Sequence, residues 1–83
     1  MTDNPQKRAR NNEILRQLAS GSTSASVATT YRLTMAQVLN IARKRINQLG
    51  LQVPLFDGKE PRVRDIHAKG PAIIDYMKAH PND

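Results

Sequence analysis

The sequence predicts a small, mostly α-helical fold, and three observations support this prediction. Between residues 11 and 49 the apolar residues recur at intervals of three and four, which is the spacing of one helix face. Thr34 and Gln37 have the spacing of a capping box, which marks the start of a helix. Pro71 precedes a second apolar run, AIIDYMKA, and proline is favoured in the first turn of a helix. A chain of 83 residues is one domain at most, with a modest core.

The first ten residues, MTDNPQKRAR, are predicted to form a basic N-terminal arm. Asn4 and Pro5 are residue types that suit a helix cap and a first helical residue, but QKRAR carries almost nothing apolar. We therefore expect a flexible arm. Its cations are Lys7, Arg8 and Arg10.

Three helices are predicted over residues 11–50. The first begins at Asn11 or Asn12 and ends near Ser20, where Gly21 supplies a left-handed cap. The second covers residues 24–31 after a cap at Thr23 or Ser24, and the third covers residues 35 to about 49. The run TTYRLT between them also alternates as a strand does, but three alternations are too few to outweigh the helical period on both sides.

Residues 51–83 carry weaker signals. The Asp57-Gly58 pair indicates either a small β-hairpin over residues 51–64 or an irregular loop. Because Pro54 and Pro61 lack amide donors, the loop is favoured, with the apolar residues before Asp57 packed on the core. In the hairpin, the basic residues available to an anionic partner would be Lys59, Arg62 and Arg64.

The short C-terminal helix is predicted to begin at Pro71 and to need a partner for its apolar face. That partner is either the third helix, at Met35, Leu39 and Ile46, or a second copy of the protein. The second alternative predicts a homodimer joined through the C-terminal third, with Ile74 and Met77 in the interface.

Residues 12–49 resemble the helix-turn-helix of transcription regulators, recombinases and sigma-factor DNA-binding domains. The matching positions are Val27, Ala28, Tyr31, Leu33, Val38 and Ile41. Ala28 is small enough to let two helices approach, and the others would form a shared core with Leu33 in the corner. Arg32 departs from the pattern, since many members have glycine there, so this turn holds either a strained arginine or a different geometry.

The resemblance implies that the start of the third helix contacts base edges in a major groove. The residues that it places there are Thr34, Met35, Ala36, Gln37 and Asn40. At 100° per residue, one side of this helix is polar and contains no acid, while Met35, Val38, Leu39, Ala42, Ile46 and Leu49 lie opposite. The residues expected to contact the DNA backbone are Lys7, Arg8, Arg10, Arg32, Arg43, Lys44, Arg45 and Asn47. The N-terminal arm, which holds the first three, is expected to follow DNA phosphates or to enter a minor groove.

The charge distribution agrees with a polyanionic partner. Residues 1–50 contain eight basic and two acidic residues, so they carry the whole net charge of +6, whereas residues 51–83 are neutral. The chain has no cysteine, and His67 and His80 are expected at the surface without a metal-ligand cluster. We expect no catalytic site, metal, cofactor or small-molecule ligand. No apolar run is long enough to span a membrane and no signal peptide is evident, which predicts a cytoplasmic protein, associated with the nucleoid when bound to DNA.

The sequence therefore predicts a sequence-specific double-stranded DNA-binding protein, a small transcription regulator of bacterial, phage or plasmid type. Its parts are an arm at 1–10, a helix-turn-helix domain at 11–50, and a loop or wing with a C-terminal helix at 51–83 that is also the candidate dimerisation element. One alternative is an RNA- or single-strand-binding protein, which the low aromatic content disfavours. Another is a helical module that binds a protein partner through its apolar C-terminal helix.

Overall fold

A computed structural model describes residues 5–80 and folds them into helices without a strand. The helices are α1 (Pro5–Ala19), α2 (Ser24–Tyr31), α3 (Met35–Gln48), α4 (Gln52–Phe56), α5 (Val63–Ala68) and α6 (Gly70–Ala79). The mostly α-helical prediction is confirmed. No β-hairpin forms at residues 51–64, which instead contain α4, a loop and the start of α5.

Helix α1 begins at Pro5, six or seven residues before the predicted start at Asn11 or Asn12. The flexible arm is therefore wrong for residues 5–10, which include Lys7, Arg8 and Arg10; residues 1–4 lie outside the described part of the chain. Proline is well suited to a first helical turn, and glutamine, lysine, arginine and alanine are good helix formers, so these turns need no apolar residue of their own. The other end matches the prediction, since Gly21 has a φ of 105° and its amide donates to the carbonyl of Leu18 at 3.0 Å.

The two helices predicted on either side of residues 32–34 are both present. The Thr23 side chain caps α2 by accepting from the amide of Ser26, and Thr34 and Gln37 form the predicted capping box at the start of α3. Arg32 has φ 57° and ψ 46°, so an arginine occupies the left-handed position that glycine usually takes. The amide of Leu33 donates to the carbonyl of Ala28 at 2.8 Å and closes the turn.

The core forms where α1 and α2 pack against α3, and α5 and α6 cover the other side of α1. Its fully buried residues, those with no exposed side-chain surface, are Ile14, Leu15, Leu18, Val27, Val38, Ala42, Ile46, Ile66 and Ile73. Phe56 of α4 is also buried, and Leu55 packs against this cluster, as predicted for those two residues. These residues therefore reach the core from the short helix α4 and not from an irregular loop.

Helix α6 packs on α1, a partner that the sequence did not predict for it. At the start of α6, a Cβ on Gly70 would lie 1.8 Å from the carbonyl oxygen of Ala19, so this approach requires glycine. Ile73 and Met77 are buried farther along α6, while Ile74 and Tyr76 are partly buried. The apolar face of α6 is thus covered within the same chain.

The two histidines differ in how far they are exposed. His67 was expected at the surface, but it is partly buried and its Nε2 lies 2.8 Å from the carbonyl oxygen of Ser22, which ties α5 to the α1–α2 turn. His80 is exposed and stacks on Tyr76 with 4.2 Å between the ring centroids. The expectation is therefore wrong for His67 and confirmed for His80.

Candidate nucleic-acid interface

The outward face, which consists of Arg32, Thr34 and the exposed residues of α3, contains every residue predicted to contact bases. Thr34, Met35, Ala36, Gln37 and Asn40 are all exposed. Val38, Ala42 and Ile46 are buried on the opposite face, so the helix is held by one side and presents the other. Met35 was also assigned to the apolar side, yet its side chain is 55% exposed because it is the first residue of the helix and projects past the core.

The capping box restricts Gln37 but not Asn40. The backbone amide of Thr34 donates to Gln37 Oε1 at 2.9 Å, and the amide of Gln37 donates to Thr34 Oγ1 at 3.0 Å. A bidentate pair with adenine uses both the oxygen and the nitrogen of a carboxamide, so Gln37 enters such a pair with its oxygen already engaged. The side chain of Asn40 forms no hydrogen bond to the described part of the chain. Asn40 is therefore the better placed of the two amides for base contact.

Exposed cations and amides flank these residues at both ends of the face. Arg32 is exposed in the turn before α3, and Lys44 and Asn47 are exposed on its C-terminal half. Neither α2 nor α3 contains an acidic residue. Coulomb attraction to a phosphate backbone is thus not opposed by any side chain on these two helices.

The basic residues of α1 lie on a helix rather than an arm. Lys7 and Arg8 are exposed, and Arg10 is partly buried with Nε and Nη2 donating to Asn11 Oδ1 at 3.3 and 3.2 Å. A helix is too wide for the penetration of a narrow minor groove that an extended arm achieves. A contact to phosphates remains compatible with this placement.

Arg45 is not at the surface, and its assignment to the DNA backbone is wrong. Only 7% of the residue is exposed. Its Nε donates to Asn12 Oδ1, and its Nη1 donates to Gln48 Oε1 at 3.1 Å, so the guanidinium joins α3 to α1. Seven residues separate Arg45 from the buried Val38, which places both on one face of the helix. The spacing from Val38 predicts that Arg45 is buried, whereas its charge led to the expectation that it is exposed.

Arg43 has partners that sequence reasoning did not identify. Its Nε donates to the carbonyl oxygen of Pro61 at 2.7 Å, and its Nη1 lies 3.8 Å from Glu60 Oε2. Residues 57–62, which we call the α4–α5 loop, therefore lie beside the C-terminal half of α3. Nothing local in the sequence indicates a contact between residues 18 positions apart.

The described residues offer little for a metal or a small molecule. They contain no group of three or more His, Cys, Asp or Glu side chains that could hold a metal ion, and none of their helices has the length and apolarity to cross a membrane. A surface depression of about 240 Å³ lies between α4, the α4–α5 loop and α5, with acidic and basic side chains mixed around it. No protein-family model, curated protein or solved structure matches this chain.

Proposed function

We propose that this protein binds double-stranded DNA sequence-specifically through a helix-turn-helix formed by α2 and α3, and that it is a small transcription regulator of bacterial, phage or plasmid type. The observation that supports this proposal is the outward face of α3, which is polar, basic and without acid on a helix anchored by its opposite side. This function places the protein in the cytoplasm, at the nucleoid when bound to DNA.

In the proposed complex the N-terminal half of α3 lies in the major groove, which is about 12 Å wide and admits one helix. Asn40 would pair with adenine through its carboxamide, and the small Ala36 would let the helix backbone approach the bases closely. Met35 offers an exposed thioether chain to a thymine methyl. Arg32 and Lys44, at either end of the face, would hold phosphates on the two sides of the groove.

A single-stranded or RNA partner has less support. Binding of unpaired bases depends on exposed aromatic rings. Phe56 is buried, and Tyr31 is partly buried with its hydroxyl accepting from Gln17 Nε2 at 3.4 Å. Tyr76 is partly buried and stacked on His80. The three aromatic residues of the chain therefore form no platform next to α3.

The homodimer stays a prediction, but the apolar face of α6 no longer supports it. The apolar face of α6 was expected to exceed what one chain can cover, but Ile73 and Met77 are buried against the same chain. The same packing weakens the alternative of a protein-binding C-terminal helix. Sedimentation at micromolar concentration, alone and on a palindromic duplex, tests the dimer, and a monomer under both conditions would exclude it. Charge substitution at Met77 is then expected to lower the melting temperature of a monomer.

Selection from a random duplex pool tests the proposed function, with Asn40→Ala and Asn47→Ala as a matched pair on one helix. We expect Asn40→Ala to lose preference at one base position, by about 1–3 kcal/mol, because a bidentate pair is removed. Asn47→Ala is expected to weaken all duplexes about equally, since it lies beyond the base-contacting half. Absence of any enriched sequence with the unmodified protein would refute the proposal.

Gln37→Ala is a less direct probe, because it also removes half of the capping box. Its effect on base preference is interpretable only at a temperature where circular dichroism shows the variant to be folded. Retention of full sequence preference by both Asn40→Ala and Gln37→Ala would mean that α3 does not contact the bases.

A further inference from the structure

The contact between α3 and the α4–α5 loop forms a cleft beside the proposed DNA-binding face. The cleft has a volume of about 180 Å³ and is lined by Arg43, Lys44, Asn47, Gln52, Glu60 and Pro61. A water molecule in the liquid takes up roughly 30 Å³, so this space is large enough for a hydrated anionic group. Two cations from α3 face it, and one carboxylate from the loop lies opposite.

The loop holds the guanidinium of Arg43 in a defined orientation. Pro61 is buried, so its carbonyl oxygen is a fixed acceptor for Arg43 Nε at 2.7 Å. The loop is anchored at its other end, where Gln52 Nε2 donates to the carbonyl oxygen of Gly58 at 3.2 Å. With Nε engaged, the two terminal nitrogens of Arg43, which lines the cleft, remain as donors, and such a planar fork suits an oxyanion.

The carboxylate of Glu60 is a weak partner for that fork. The distance from Arg43 Nη1 to Glu60 Oε2 is 3.8 Å, which is longer than a hydrogen bond, and the Glu60 side chain is 78% exposed. The Arg43 side chain is 28% exposed, but a long pair with so exposed a carboxylate contributes little to stability. A phosphate that can accept two hydrogen bonds from the guanidinium would displace it.

We propose that this cleft binds one backbone phosphate of DNA through Arg43 and Lys44, with Pro61 positioning Arg43 and Glu60 as a competing anion in the unbound protein. The inference rests on the proposed function and adds residues that the helix-turn-helix itself does not contain. It assigns a role to a segment outside residues 12–49, because the loop determines where the guanidinium points.

The test compares Glu60→Gln with Asp57→Asn in binding to a fluorescein-labelled duplex of random sequence. Both variants remove one exposed carboxylate from the same loop, so they change the net charge equally; asparagine also tolerates the left-handed conformation of Asp57, whose φ is 55°. We expect Glu60→Gln to bind roughly two- to fivefold more tightly than Asp57→Asn, the range of an exposed ion pair. In an Arg43→Gln background this excess should disappear. Equal affinities of the two variants, or an excess that persists without Arg43, would overturn the proposal.

The salt dependence of duplex affinity and competition by inorganic phosphate test whether Arg43 contacts a DNA phosphate. Arg43→Gln should lower the slope of log affinity against log salt by about 0.9, the value for one phosphate contact. Arg43→Lys keeps the charge but not the planar fork, so it should keep the slope and lose affinity. Inorganic phosphate should compete far more weakly than an unlabelled duplex, because it supplies only one of the contacts that a duplex makes; competition as strong as that of the unlabelled duplex would overturn the assignment to DNA and make the cleft a site for free phosphate. If the unmodified protein binds no duplex, the proposed function fails; if it binds and Arg43→Gln leaves the slope unchanged, only this inference fails.

Discussion

Two regions of this protein use their side chains in opposite ways. On the outward face, by which we mean Arg32, Thr34 and the exposed residues of α3, the side chains point to solvent and few of them bond to the rest of the chain. At the seam, by which we mean the packing of α6 on α1, Ile73 and Met77 of α6 are buried, and the approach of Gly70 to Ala19 leaves no room for one added carbon. Substitutions at the seam should therefore change stability, and those on the outward face should change binding. The predictions below test this division, beginning with the largest effect.

Gly70→Ala is expected to destabilise the fold most. The new Cβ would overlap the carbonyl oxygen of Ala19, and both atoms belong to helix ends with little freedom to move. We expect a loss of about 3 kcal/mol or more, measured by thermal or urea unfolding. Gly21→Ala is the control, because a Cβ there meets nothing within 4 Å and the cost comes only from its φ of 105°. Similar losses in the two variants would mean that α6 does not pack closely on α1.

Arg45→Ala and Lys44→Ala compare a buried and an exposed cation that are neighbours on α3. Arg45 is buried and bonded to Asn12 and Gln48, so its removal should cost about 2 kcal/mol in the free energy of unfolding. Lys44 is exposed, and its removal should change stability by less than about 0.5 kcal/mol. Duplex binding at two salt concentrations should show the reverse order for the salt slope. A larger stability loss at Lys44 would contradict the burial pattern of α3.

Thr34→Ala removes the capping box at the start of α3 and should destabilise by about 1 kcal/mol. Thr29→Ala is the matched control, since Thr29 is exposed within α2 and its hydroxyl only returns to the carbonyl of Ala25. Alanine is the better helix former, so this control should be neutral or slightly stabilising. If the unfolding curves of the two variants coincide, the capping box adds nothing to stability.

Arg32→Gly should stabilise the protein slightly while weakening DNA binding. The left-handed conformation of Arg32 disfavours any side chain, and glycine relieves this at some cost in the entropy of the unfolded chain. The balance is expected to be a few tenths of a kcal/mol in favour of glycine. Duplex affinity should fall because one exposed cation is lost. A clear loss of stability would show that the arginine side chain packs in the turn.

Several features were predictable because they depend on residues a few positions apart. The Thr34 and Gln37 box, the caps at Thr23 and Gly21, and the period of α3 are local hydrogen bonds and local spacings. They determine the limits of α2 and α3, and the period determines which face of α3 is exposed. The candidate DNA-binding face therefore follows from the sequence alone, apart from the status of Arg45.

The remaining features required the tertiary structure, since they join residues far apart in the chain. Helix α6 has an apolar face that several surfaces could cover, and the structure packs it on α1, where Gly70 lies close against Ala19. The charge of Arg45 predicts exposure, but its amide partners on α1 and α3 let it be buried. The orientation of Arg43 depends on a carbonyl 18 residues away. Periodicity identifies which residues need a partner, whereas shape complementarity between distant segments determines which partner they find.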